Sequence, residues 1–337
     1  MKVKFEVITP IFSGSGEDYY PNEFFIMNDE IYFLDKNKFL DKIVKEDKLD
    51  EFIKVSSNID DLLDFIDENA DESVASDKLY ADSEVIDDLL ETTSRPISAF
   101  IKEKFEFKPI IPGSTLKGVI RTALLDYAVS KQKKEIEEIA NKDISNLDAK
   151  TLEAIVFCNG SRNKRGQLFL DPTKDILKAL FVSDLKPINY TLKAIKPKNK
   201  PYKKNKLNSI PVIIESLVNG EFEGDIRIDK SLINRDENLR ENRFLRNLSV
   251  DLIKEALRGF FKKVVEIENK RFKVMPIEYR DFNIKLGKFA GGGSKSINQY
   301  RKIFIRQIKK TFDYQLSVWI YEDMPLGWGR LEFKEEQ

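Results

Sequence analysis

Histidine occurs nowhere in the 337-residue sequence. Its absence excludes imidazole acid–base catalysis and every His-ligated metal centre. Cysteine is nearly as scarce. Cys158 stands alone, so no internal disulfide forms and a structural zinc site has almost no ligands left. A single thiol favours a reducing, cytoplasmic setting. No stretch approaches the ~18 consecutive apolar residues of a membrane span. The opening Met1-Lys2-Val3-Lys4-Phe5-Glu6-Val7 lacks the apolar core of a signal peptide. No metal, cofactor or membrane contact is therefore expected, and any catalysis would rest on carboxylates, Lys, Tyr or Ser.

Charge is abundant and unevenly placed. Its 57 Lys and Arg balance 57 Asp and Glu, yet residues 58–91 hold thirteen acids and one Lys. Residues 186–210 hold eight Lys and no acid, and residues 227–310 hold 22 basic against 10 acidic side chains. An acidic N-terminal insert thus faces a basic C-terminal half, which suits a polyanion such as nucleic acid. A solvated basic face would have the same composition.

The length exceeds one typical domain, so one large core or two smaller ones are expected. Strand-like alternation over residues 2–8 leads into Ser13-Gly14-Ser15-Gly16. Phe24–Met27 and Ile31–Leu34 flank Asn28-Asp29-Glu30 as a hairpin, and residues 37–50 have helical spacing. Residues 51–94 read as an acidic, mostly helical insertion, followed by a strand at about 101–107. Strand texture returns near residue 180, and Pro211–Leu217 and Phe222–Ile228 read as a second hairpin around Asn219-Gly220. The lysine-rich loop 196–206 projects between strand pairs, and helical spacing runs over 238–268. The pattern is α+β. A β-α-β-β-α-β unit fits each half, with domains at 1–178 and 179–337.

The most informative stretch is Ile111-Pro112-Gly113-Ser114-Thr115-Leu116-Lys117-Gly118. Pro112 and Gly113 break the preceding strand, Ser114 suits an N-cap, and a helix follows to about Ser130. Lys117 and Arg121 lie one turn apart near its start, where acids are the usual choice. A glycine turn, free amides and added cations make a seat for phosphate. An ordinary capped helix with a solvent-facing lysine is the alternative.

Other glycine turns also have basic neighbours. Gly14-Ser15-Gly16 follows the first strand, and Arg162, Lys164 and Arg165 crowd a turn at 159–166. Lys288, Gly292, Gly293 and Lys295 share a late loop, and Arg330 follows Gly327-Trp328-Gly329. Gly291-Gly292-Gly293 is followed by Ser294 and not by Lys, which departs from a Walker loop. Backbone amides at such turns, with Lys and Arg beside them, would follow an RNA backbone without reading bases. Asp184 ends a strand and is a candidate Mg²⁺ ligand or, alternatively, a turn cap. Trp328 and Phe289 are candidates for base stacking or for core packing.

The segment Ile111–Gly118 with Ile120-Arg121-Thr122-Ala123-Leu124 resembles the RAMP superfamily of CRISPR-associated proteins. Thr9-Pro10-Ile11-Phe12-Ser13-Gly14-Ser15-Gly16, Phe181-Val182-Ser183-Asp184 and Pro325-Leu326-Gly327-Trp328-Gly329 resemble its further anchors. Their order is most similar to the fifth-subunit family of the type III-A (Csm) effector complex. The resemblance implies two ferredoxin-like (RRM-like) domains with glycine-rich loops and a helical insertion. It implies a non-catalytic subunit that caps the 3′ part of the CRISPR RNA at the head end and supports 3′-end maturation. A backbone RAMP subunit, the small helical subunit and host nucleases would be partners. The RNA contacts expected are Gly14, Ser15, Gly16, Gly113, Ser114, Lys117 and Arg121, then Arg162, Lys164, Arg165, Lys288, Gly292, Gly293, Lys295 and Arg330. A metal-dependent ribonuclease using Asp184, or a scaffold docking through its acidic insert, are the competing readings.

Overall fold

The computed structural model describes residues 1–92, 95–202, 207, 212–301, 303–305 and 309–334. The chain opens with β1 (Lys2–Val7), whose alternation buries Val3, Phe5 and Val7, then β2 (Gly14–Tyr19). β3 (Phe24–Met27) and β4 (Glu30–Leu34) form the expected hairpin, with Asn28 and Asp29 at φ 53° and 60° in its turn. Helix α1 (Lys36–Lys45) starts at Asp35, whose carboxylate accepts from the amides of Asn37 and Lys38. Next come α2 (Leu49–Val55), α3 (Ile59–Asn69), β5 (Ala75–Ala81), α4 (Ser83–Glu91) and β6 (Ile97–Phe100).

The middle of the chain holds α5 (Gly113–Lys131), α6 (Lys133–Ala140), α7 (Ala149–Phe157), β7 (Leu180–Val182), β8 (Lys186–Ile195) and β9 (Lys198–Pro201). The last third holds β10 (Ile213–Ile228), α8 (Lys230–Arg235), α9 (Glu237–Arg240), α10 (Val250–Arg271) and β11 (Asn283–Lys285). It ends in β12 (Ile303–Ile305), β13 (Lys310–Phe312), β14 (Ser317–Tyr321), β15 (Met324–Pro325) and β16 (Trp328–Lys334).

The fold is mixed α+β, dominated by a sheet of order β11–β16–β1–β10–β8–β5–β4–β3. Within it, β16–β1–β10–β8 are antiparallel throughout. Taken with α5 and α10, which pack on each other, they trace β1-α5-β8-β10-α10-β16. The β-α-β-β-α-β pattern expected in each half is therefore traced by the chain as a whole. The first strand comes from the N-terminal half and the other three from the C-terminal half. The sheet and the largest core, which runs from Val3 to Leu331, both cross the boundary expected at residue 178.

The strand expected at about 101–107 lies earlier, as β6 at Ile97–Phe100, and residues 104–106 form a turn. Two further local expectations fail for tertiary reasons. Asn219-Gly220 is not a hairpin turn, because β10 runs through it as one 16-residue strand. The pair sits at a bulge against β8, where a Cβ on Gly220 would meet the Asn189 carbonyl at 2.7 Å. The acidic insertion is mostly helical, as expected, through α2, α3 and α4, and it adds one strand. Its β5 pairs with β4 and, in parallel, with β8, which stitches the insertion into the main sheet. Of the lysine loop, residues 198–201 form β9 beside β14, while 203–206 lie outside the described residues. The projecting loop is thus partly a paired strand.

Cys158 ends α7, is 2% exposed, and donates through Sγ to the Asp171 carbonyl at 3.3 Å. Burial pushes its pKa from 9.0 up to about 11. The folded chain thus holds the thiol protonated, so its stabilising contribution is complete below pH 9 and is lost as pH rises through about 11. At pH 8 roughly one thiol in a thousand is ionised. A thiol reagent at that pH should label native protein very slowly and guanidinium-unfolded protein at once. Rapid labelling of the native chain would contradict this burial.

Candidate nucleic-acid interface

Helix α5 begins at Gly113 with Pro112 at the cap position, two residues earlier than Ser114 capping would require, so Ser114 lies exposed in the first turn. The cap comes from elsewhere in the chain. Asp184 Oδ1 accepts from the Gly113 amide at 2.8 Å, and the Ile111 and Leu185 backbones exchange hydrogen bonds beside it. An internal carboxylate therefore occupies the helix end where a phosphate was expected. Gly113 itself is buried, and a Cβ there would meet the Val182 carbonyl at 2.3 Å. Its glycine serves close packing against the end of β7. Lys117 Nζ donates to the Leu180 carbonyl at 2.7 Å, and burial lowers its pKa while Asp175 opposes that shift. The out-of-place lysine ties the helix to β7.

The other face of α5 is different. Thr115, Gly118 and Thr122, at helical spacing, form one wall of an open groove of about 550 Å³. Ser13, Gly14 and Gly16 form its second wall, and residues 285–288 with Ser294 and Lys295 form the third. Gly16 lies in a bulge of β2 at φ 92°, and neither it nor Gly118 has any atom within 4 Å of a would-be Cβ. Both leave backbone open to a ligand. Lys285, Lys288 and Lys295 line the groove and, among the described residues, no carboxylate does. Lys295 Nζ donates to the Lys288 carbonyl at 3.3 Å. Burial, then the neighbouring Lys285 charge, lowers the Lys295 pKa. An anion there would relieve that repulsion.

Three glycine turns meet behind this groove. The Lys288 amide donates to Phe12 O at 2.8 Å, Gly327 N to Pro10 O at 2.8 Å, and Leu286 N to Gly327 O at 2.9 Å. Trp328 is fully buried, so it packs the core and does not stack on bases. Its Nε1 donates to Glu268 Oε2 at 2.8 Å, and the same carboxylate holds buried Lys285. Gln315 bridges from Glu268 to the Gly293 amide, which it accepts at 2.9 Å. A Cβ on Gly291 would strike that Gln315 at 2.3 Å. The Gly291–Gly293 run is thus shaped by packing on Gln315. Phe289 stacks on Phe12 at 5.7 Å and meets Trp319 at 4.7 Å between ring centroids.

Of the residues expected to hold RNA, Gly14, Gly16, Lys288 and Lys295 line the groove, and Ser15, Gly292 and Gly293 belong to its flanking segments. Gly113, Ser114 and Lys117 do not line it. Arg121 is committed to Asp175 at 2.7 Å and Glu153 at 2.9 Å, over the Phe157 ring at 4.0 Å. Arg330 pairs with Glu6 on the sheet. Arg162 donates to the carbonyls of Gly166 and Ile139, while Lys164 and Arg165 are exposed, and none of the three lines the groove. Sequence reasoning missed Thr115, Gly118, Thr122 and Lys285. The small-residue spacing 115, 118, 122 was the available signal.

The family model of the RAMP superfamily matches residues 4–296. The chain belongs to the RAMP superfamily. This RAMP protein is 27% identical over 336 residues to the Methanocaldococcus jannaschii protein named CRISPR system Cms protein Csm5, covering 93% of this chain and 78% of that one. It is 28% identical over 231 residues to the Streptococcus thermophilus protein of the same name, covering 64% of this chain and 60% of that one. Its fold matches a chain of a Csm–crRNA–target RNA ternary complex of a type III-A CRISPR-Cas system, with TM-score 0.75 and 21% identity over 98% of this chain and all of that one. It also matches the Csm5 crystal structure from T. onnurineus, with TM-score 0.68 and 18% identity over 97% and 99% of the two chains.

In this RAMP protein the cations of α5 and those of the groove separate by role. Arg121→Ala leaves Asp175 and Glu153 half-buried without their counter-charge and should cost about 2–4 kcal/mol in denaturant unfolding. Lys288→Ala should fall within ~0.5 kcal/mol of wild type. Equal stabilities for the two variants would refute this division.

Proposed function

We propose that this protein is the Csm5-type subunit of a type III-A CRISPR effector complex and binds the CRISPR RNA in the groove between α5 and the two glycine loops. The observation that carries the proposal is the groove's composition. Segments 13–16, 115–122 and 285–295, distant in sequence, converge on a surface with lysines, glycine backbone and, among the described residues, no carboxylate. Lysine charge and bare backbone amides suit a sugar-phosphate chain, and nothing in the groove selects a base. Identity of 27% to one Csm5 protein across 93% of the chain supports the subunit assignment. The subunit caps the 3′ part of the guide at the head end, packs against a backbone RAMP subunit and the small helical subunit, and admits host nucleases that trim the 3′ end. Its role is to hold RNA, not to cut it. The ribonuclease alternative loses its leading residue, since the Asp184 carboxylate is engaged in capping α5.

The test is charge reversal at Lys288 and Lys295 in the reconstituted complex. Lys288→Glu/Lys295→Glu should abolish crosslinking of this subunit to the guide's 3′ part and leave longer, untrimmed guides. For the purified subunit, the slope of log affinity against log salt should fall by about two, one for each lost phosphate contact. An unchanged slope together with normal crosslinking would sink the groove as the RNA site.

A further inference from the structure

A second cavity, of about 320 Å³, opens beside the groove, and Thr122 and Lys295 border both. Its chemistry is unlike that of the groove. Leu125, Leu147, Leu152 and Ile297 make an apolar interior. Apart from Lys295 at the border with the groove, the charged groups around it are already engaged. Arg121 is held by Asp175 and Glu153, and Asp148 accepts from the Thr151 amide at 2.7 Å. Arg301 is buried and donates to the carbonyls of Gly293, Ser296 and Ile297 and to the Asn298 side chain. Apart from Lys295, which the cavity shares with the groove, a phosphate would find no unengaged cation there among the described residues. A flat, uncharged ring would find apolar walls, with the Asn146 side chain at the rim able to donate and accept at a ring edge.

Tyr300 adds a second, independent observation. This bulky residue sits in left-handed backbone at φ 59°, 37% exposed at the cavity, with Lys133 Nζ 5.2 Å from its ring centroid. Aromatic residues rarely adopt that conformation, and such strained positions collect at binding sites. Unstacked bases of single-stranded RNA are commonly received on aromatic rings.

We propose that this cavity receives one splayed base of the RNA strand lying in the groove, with the Tyr300 ring against its face. The proposal rests on the groove reading and adds a base-binding subsite to it. One nucleotide would therefore be held by its ring, while its neighbours are held by their phosphates.

The test is an abasic scan of an oligouridylate of about ten nucleotides, read as affinity for the full-length protein. With wild type, one abasic position should weaken binding about tenfold and the others little. Tyr300→Ala and Leu147→Trp, which fills the cavity, should each weaken the intact oligonucleotide about tenfold and flatten the scan. Tyr300→Phe should keep the wild-type pattern, because the ring face is retained. A flat wild-type scan, with Lys288→Glu/Lys295→Glu still weakening every oligonucleotide, would overturn the base site and leave the groove intact. Full binding by that double variant, or no binding by wild type, would overturn both.

Discussion

The Glu268 carboxylate is the constraint on which the far wall of the groove depends. One oxygen takes the Trp328 indole, and the other takes Lys285 and the Gln315 amide, so α10, β11, β16 and the loop before β14 meet at a single buried group. Glu268 and Lys285 are each 1% exposed. Burial pushes the Lys285 pKa down and Glu268 pulls it back, and removing either partner would strand a charge in the core. Such a pair contributes little net stability over an apolar substitute. It fixes geometry, because each donor has one place to go. Gln315 then orients Gly293, and the Lys288–Lys295 segment is held at the groove edge.

The motif residues organise into two connected clusters. Thr9–Gly16, the loop after β11 and the turn before β16 are knitted by backbone hydrogen bonds around Pro10 and Phe12. Ile111–Lys117 and the end of β7 are knitted by Asp184 and Lys117. Helix α5 joins them, its first turn fixed in the second cluster and its Thr115–Gly118–Thr122 face exposed to the first. Most of the glycines therefore answer a packing demand: a Cβ at Gly113, Gly287, Gly327 or Gly329 would lie within 3 Å of another atom. Gly16 and Gly118, like Gly166 and Gly259, instead have no atom near a would-be Cβ, and of these four only Gly16 and Gly118 line the groove.

Much of the fold was legible in the sequence. Period-two alternation marked β1, the Asn28-Asp29 turn marked its hairpin, and helical spacing marked α5 and most of α10. The failures have a common cause. Asn219-Gly220 has the chemistry of a turn, but pairing with Thr191 and Tyr190 of β8 holds it extended. The β5 segment has one buried apolar residue, Leu79, and becomes a strand because β4 and β8 offer free edges. Ser114 has good capping chemistry, but Asp184 reaches the helix end from 71 residues away.

The sequence by itself determined the class of molecule: no imidazole, one thiol, an acidic insert, a basic C-terminal half and glycine turns beside cations. It also determined the elements that depend on local periodicity, since spacing of apolar residues acts within a few turns or a single strand. Only the tertiary structure decided which cations face outward. Lys117 and Arg121 looked like the strongest phosphate ligands, and each is drawn inward by a distant partner: the Leu180 carbonyl for one, Glu153 and Asp175 for the other. Lys288 and Lys295 looked no better in sequence and line the groove. A lysine's availability depends on whether a buried carbonyl or carboxylate lies within reach, and that depends on how remote segments pack.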